Sequence, residues 1–244
     1  MAELIAVLSG KGGTGKTSVC AGLATALAKD GQRVLCIDCD IGLQNLDIAL
    51  AISDLCAISF QDVCDGFYTL DQAARHPDYP NLSFLTAPMN CSAHKIDREA
   101  FAQMLQQARN KFHYVFLDAP AGIEAGFTLA AQYADRVLLV TGSDPASVRD
   151  ATRASQLLEQ MGKSNVRLIV NRIDEKMLSS IGMTVDDIMD QAGRPLIGIV
   201  PEDNQVLLAA AFKKPLLMAT KKGAAAACKR IARRIQGLSE PIRL

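Results

Sequence analysis

Ser9-Gly10-Lys11-Gly12-Gly13-Thr14-Gly15-Lys16-Thr17-Ser18 joins a short apolar run, residues 4–8, to a helical pattern in which Val19, Leu23 and Leu27 recur at i, i+4 and i+8. A strand, then Gly-x-x-x-x-Gly-Lys-Thr (Gly10, Gly15, Lys16, Thr17), then a helix is the signature of a phosphate-binding loop. The chemistry requires small residues at Gly12, Gly13, Thr14 and Gly15, because backbone N–H groups must close around phosphate oxygens with no side chain in the way. The helix that starts near Lys16 adds its positive dipole end. Lys16 is expected on the β and γ phosphates as a point charge, and the Thr17 hydroxyl in the shell of a Mg²⁺ ion, with Ser18 completing the cradle.

Lys11, in the first variable position, turns the loop into Lys-Gly-Gly-Thr-Gly-Lys-Thr. That box resembles the deviant Walker A loop of the MinD/ParA family of ATPases. The resemblance implies ATP and Mg²⁺ as cofactors, slow hydrolysis, and an ATP-dependent homodimer in which Lys11 crosses to the nucleotide of the second subunit. The last point comes from the resemblance and not from spacing.

Around that loop the chain reads as one α/β domain spanning residues 1–244, with hydrophobic residues at 49% and charged residues at 21%, which excludes a disordered chain. Strands are expected at 4–8, 34–38, 82–85, 114–118, 136–140, 167–170 and 196–200, and helices at 97–111, 147–161, 185–191 and 224–238, besides the one after the loop. The helix after the loop is expected to carry one apolar stripe and to end at Asp30-Gly31. Such alternation predicts a mostly parallel twisted sheet flanked by helices on both faces, the architecture of P-loop NTPases. No apolar run approaches the roughly 18 residues of a spanning helix, and no basic or apolar leader precedes the first strand, so a cytoplasmic protein is expected. The seven cysteines, Cys91 among them, are odd in number and mostly lie in apolar runs, as buried reduced thiols do. Cys36-Ile37-Asp38-Cys39 has C-x-x-C spacing, but on a strand those thiols point to opposite faces and cannot share an ion. His76, His94 and His113 have no partner at ligand spacing.

In a parallel sheet ligands bind at the C-terminal strand ends, and the remaining motifs are expected there. Asp38 and Asp40 follow the second strand, where a carboxylate can orient a water or serve the outer shell of Mg²⁺; Asp40 resembles the family's switch I aspartate. The alternative for Asp40 is a turn in which it bonds its own backbone. Val115-Phe116-Leu117-Asp118 ends as a Walker B strand does, with Asp118 expected to hold Mg²⁺ through Thr17 or water. Asn171-Arg172 after the sixth expected strand, and Pro201, Glu202 and Asp203 after the seventh, stand where the family holds adenine; the alternative for them is ordinary loop residues.

The stretches 38–47, 118–126, 147–150 and 198–203 resemble the division-site (MinD) branch of the family more than plasmid-partition proteins. That resemblance implies MinC-like and MinE-like (or MinJ/DivIVA-type) regulators, met by the helix that begins at Ser147-Val148-Arg149-Asp150, and septum placement at the membrane. The branch usually ends in a short amphipathic membrane-targeting helix with Lys and bulky Phe/Leu residues, which would begin beyond Leu244; the chain is therefore expected either to continue, or to hold the membrane differently or not at all. Residues 213–244 carry nine Lys/Arg against one acidic residue, leaving the rest acidic. In the last helix Lys229, Arg230, Arg233 and Arg234 fall on one arc and Cys228, Ile231, Ile235 and Leu238 on the other, an arrangement suited to an anionic bilayer or to nucleic-acid phosphates. The expectation here is that the apolar arc packs on the protein's own sheet. A partition ATPase that binds DNA without sequence preference is the alternative function, and an iron–sulfur reductase is disfavoured because residues 118–126 hold no cysteine.

Overall fold

The computed structural model describes residues 1–89 and 93–243. Cys91 and Leu244 lie outside the described residues. The chain runs β1 (Glu3–Leu8), α1 (Lys16–Lys29), β2 (Val34–Asp38), α2 (Leu46–Leu50), α3 (Phe60–Cys64), β3 (Ala74–Arg75), β4 (Leu82–Leu85), α4 (Arg98–Lys111), β5 (Tyr114–Asp118), α5 (Ala125–Tyr133) and β6 (Arg136–Thr141). It continues through α6 (Pro145–Gln160), β7 (Val166–Ile173), α7 (Glu175–Ser180), α8 (Val185–Ala192), β8 (Leu196–Pro201), α9 (Asn204–Ala211), α10 (Leu216–Ala219) and α11 (Gly223–Ile235). The strands form a single sheet in the order β3-β4-β2-β5-β1-β6-β7-β8, parallel except where β3 pairs antiparallel with β4.

Alternation along each strand divides the core into two layers. Leu4, Ala6, Leu35, Ile37, Val115, Leu117, Val137 and Leu139 face α4, α5 and α6, whereas Ile5, Val7, Val34, Cys36, Phe116, Leu138 and Val140 face α1 and α11. Both faces of the strands are dry, which is why they read as continuous apolar runs and not as alternating ones. Cys36 lies in one layer and Cys39 in the other, so the C-x-x-C thiols are separated by the sheet as the strand geometry predicts. Cys56, by contrast, is exposed.

Register places the site. In β1 and β5 Val7 stands opposite Asp118, and in β2 and β5 Asp38 stands opposite Asp118, so three adjacent strands end at one level. The turn after β1, the Asp38 turn and the Asp118 turn are thereby neighbours along one sheet edge.

Several expectations need correction. α1 does not carry a single apolar stripe: Val19–Ala28 is buried on every side, because α11 and α2 pack against it in addition to the sheet. A helix apolar all round is a buried helix. Its end is as expected, with Gly31 at φ +83 and the Gly31 and Gln32 N–H groups donating back to Ala28 and Leu27. β3, two residues long, was not foreseen. β7 extends past residue 170 to Ile173, through a bulge after Val170 that lets Ile173 pair with Pro201; Asn171 therefore lies within the strand and not after it.

α11 packs its apolar arc on the sheet as expected but is shorter than expected: it ends at Ile235, and Leu238, placed on that arc, is exposed beyond it. Cys228, Ile231 and Ile235 are buried in the sheet-facing layer. Much of its basic arc is spent on the chain itself: Arg233 pairs with Glu240 at 2.8 Å, Arg234 donates to the carbonyls of Ile197 and Glu240, and Arg230 to that of Arg243. His76 is a core histidine. Its Nε2 faces the Leu50 carbonyl at 2.8 Å and must donate there, so Nδ1 accepts from the Asp78 N–H.

Candidate functional site: a phosphate cradle and an adjoining hollow

The loop between β1 and α1 has the shape its glycines permit. Gly13 and Gly15 have φ of +80 and +81, conformations that L side chains rarely adopt. Gly15 is doubly constrained, since a Cβ there would lie 2.2 Å from Asn171 Nδ2. Gly10 is required for a different reason: a Cβ would meet the backbone oxygen of Asp150 in α6 at 2.2 Å.

Among the described residues none of the backbone N–H groups of residues 12–18 has a hydrogen-bond acceptor, and the buried Thr14 hydroxyl has no partner. Buried donors are almost always satisfied, so a row of free ones marks a place for an anion. α1 carries no acidic residue in its first turn, leaving its positive dipole end uncompensated. The residues present fit a polyphosphate.

Two charged residues seal the inner end. Lys16 Nζ lies 2.6 Å from Asp118 Oδ1 and donates to the Thr17 hydroxyl at 3.0 Å, and both members of the pair are buried, at 6% and 1% exposure. Burial pushes the Asp118 carboxyl above the usual carboxylate range and outweighs the opposing pull of Lys16. Asp38, one strand away, is pushed up to about 7 by burial first and by the Asp118 charge second, although its two oxygens accept the N–H groups of Asp40 at 2.8 Å and Leu46 at 3.2 Å. A hard-oxygen cluster of Thr17 and Asp118, compressed against a cation, has the donor chemistry Mg²⁺ requires.

Asp40 is half-buried and, with Leu43, Asn45 and Ala121, lines the same hollow of about 240 Å³ as the loop. Its Oδ1 accepts from Gly42 and Leu43 at 3.3 and 3.2 Å, so the turn predicted as its alternative role is present. Lys11 is half-buried at the lip of the loop and tied to Asp144 at 3.2 Å. Asp144 caps α6 by accepting the Ser147 N–H at 3.0 Å. Sequence reasoning passed over Asp144, although Asp144-Pro145 is a helix-start signal.

A second hollow of about 340 Å³ adjoins the loop and is lined by Gly15, Ser18, Asn171, Pro201, Glu202 and Asp203, all expected at the site, together with Val206 and Leu207 of α9. Asn171 Nδ2 donates to the Thr14 carbonyl at 2.7 Å. Asp203 accepts N–H groups from Gln205 and from Ala224, both at 2.9 Å, which fixes the starts of α9 and α11 around the hollow. Ser147 and Val148 are buried, leaving Arg149 as the most exposed residue of the expected partner-binding stretch.

The CobQ/CobB/MinD/ParA nucleotide binding domain matches residues 5–216. The septum site-determining protein MinD of Synechocystis is 39% identical over 99% of this chain and 92% of its own length. The chain belongs to the MinD family. Within that family, the MinD protein solved in the MinC:MinD cell division complex of Aquifex aeolicus superposes with a TM-score of 0.92 at 36% identity, covering 100% of this chain and 99% of that one. A MinD from Pyrococcus horikoshii, solved in complex with Mg-ADP, superposes with a TM-score of 0.83 at 25% identity over 96% of each chain. The fold is thus that of a MinD-family P-loop ATPase. Among the described residues no helix is long and apolar enough to cross a membrane.

Proposed function

We propose that this chain is a Mg²⁺-dependent ATPase that acts as a nucleotide-controlled dimerisation switch for placing the division septum. The observation that carries the reading is the row of unpaired N–H groups at residues 12–18, closed at its inner end by the Lys16–Asp118 pair.

ATP occupies the two adjoining hollows, its triphosphate on Gly12, Gly13, Thr14, Gly15, Lys16, Thr17 and Ser18 and its adenine among Asn171, Pro201, Glu202 and Asp203. Thr17 and Asp118 would hold Mg²⁺, which when bound would neutralise the developing phosphate charge. Lys16 contributes the fixed cation at the β and γ phosphates, and the N–H row gives preorganised dipoles that need no rearrangement as charge moves outward. Asp40, beside the loop, holds and orients the attacking water. Lys11, half-buried at the lip of the loop and bonded to Asp144, is the cation that reaches the nucleotide of a second subunit.

Regulators of MinC-like and MinE-like (or MinJ/DivIVA-type) chemistry dock on the ATP dimer along α6 near Arg149, and the protein is cytoplasmic and works peripherally at the inner face of the plasma membrane. The test is light scattering with ATP and with ADP, in parallel with co-sedimentation on anionic liposomes and on DNA. A dimer with ATP alone and ATP-dependent liposome binding are expected. ATP-dependent binding to DNA and not to liposomes would move the chain to the partition class.

A further inference from the structure

Arg172 has φ +59, in the left-handed region, on a strand whose register is broken by a bulge on that side of Val170. A non-glycine residue held there marks a position with work to do. Its guanidinium makes contacts in two directions. Nη1 donates to the Gly13 carbonyl at 3.0 Å, and Nε and Nη2 grip both oxygens of Glu202 at 2.8 and 3.4 Å. The neighbouring Asn171 holds the Thr14 carbonyl. Two consecutive loop carbonyls are therefore drawn to β7.

In a trans peptide the C=O and the following N–H point in opposite directions. Drawing the Gly13 carbonyl toward Arg172 turns the Thr14 N–H away from it, and drawing the Thr14 carbonyl toward Asn171 turns the Gly15 N–H likewise. Neither N–H has an acceptor among the described residues. The pair on β7 thus decides which way the loop presents its donors. Asn171 does so from a buried position, whereas Arg172 does so while clamped by Glu202, a residue of the adjoining hollow.

We propose that Arg172 is a positioning residue that aims the phosphate-binding N–H groups and, through Glu202, makes the phosphate end of the site answer to the adenine end. The proposal rests on the phosphates lying against residues 12–18. A probe without a base separates aiming from base contact: inorganic tripolyphosphate with Mg²⁺, titrated by calorimetry alongside ATP. Arg172→Gly removes the clamp and suits the left-handed backbone, so its melting temperature stays at or above that of the parent chain, while its affinity for tripolyphosphate and for ATP falls about tenfold in parallel. Glu202→Gln keeps the backbone and touches no loop atom, yet weakens tripolyphosphate about threefold by loosening the guanidinium. Unchanged tripolyphosphate binding in Arg172→Gly, or loss confined to ATP in Glu202→Gln, would overturn the proposal. A parent chain that binds ATP but not tripolyphosphate also counts against it, whereas a parent chain that binds neither overturns the nucleotide reading together with it.

Discussion

Asp38 makes the stability of the nucleotide-free protein depend on pH. Its folded pKa of about 7 compares with about 3.9 for an aspartate in an unfolded chain. A carboxyl raised on folding stabilises the native state fully below the unfolded value, where it is neutral in both states. That contribution is lost as pH rises through the folded value, because the native state holds a proton that the unfolded state has released. Between pH 5 and pH 7.5 the loss integrates to about 2.5 kcal/mol. Asp118, also raised and also buried, contributes in the same direction. Asp38→Asn abolishes the titration. The amide offers one oxygen acceptor where both oxygens of the carboxyl face N–H groups, of Asp40 and Leu46, so the variant starts about 1 kcal/mol less stable at pH 5. By pH 7.5 it should be the more stable protein. Urea unfolding of both chains at the two pH values, without nucleotide or Mg²⁺, measures this crossing. A variant whose stability falls with pH as steeply as the parent's would show that Asp38 ionises freely in the fold and that the argument from burial is wrong.

Lys16→Ala strips the buried Asp118 of its counter-ion and the cradle of its cation; nucleotide-free stability should drop by about 3 kcal/mol, and ATP-dependent dimerisation should vanish in light scattering. A normal ATP dimer in that variant would count against the phosphate assignment. Gly10→Ala drives a methyl into the Asp150 carbonyl, so α6 must move; a destabilisation of about 2 kcal/mol in thermal or urea unfolding is expected, and an unaffected protein would mean that the turn relaxes freely.

The parts of the molecule that were legible in the sequence are those written in local chemistry. The phosphate loop needs glycine where φ is positive, and strands buried on both faces are short apolar runs, so β1, β2, β4 and β5 stand within a residue of where periodicity puts them. The rest depends on partners distant in the chain. β3 is two residues long and exists because β4 offers it an edge. The last turn of β7 is held by Pro201, and no pattern within residues 166–173 announces a bulge. α1 looks amphipathic by itself; α2, and above all α11 arriving about two hundred residues later, account for its burial on every side. Among the site residues, Asp38 and Asp118 are carboxylates at strand ends, visible as such, but both are pushed up first by burial under elements distant in the chain, and the Asp118 charge adds to Asp38 across the register, none of which the sequence prints. The Asp144 tie to Lys11 and the Arg172 tie to Gly13 join residues more than 130 positions apart.

The strand order has a further meaning for a chain made from its N-terminus. β1 and the loop leave the ribosome well before β5 and β6, the strands on either side of β1, which lie more than a hundred residues downstream, and α11, one of the helices packed on α1, is the last one described. During synthesis the phosphate loop is therefore a turn between an uncovered apolar strand and an uncovered apolar helix. The cradle becomes competent only once β5, β6 and α11 have emerged, so a nascent chain stalled before them has the recognisable motif and no site, and long-range pairing of this kind folds slowly and exposes apolar surface meanwhile.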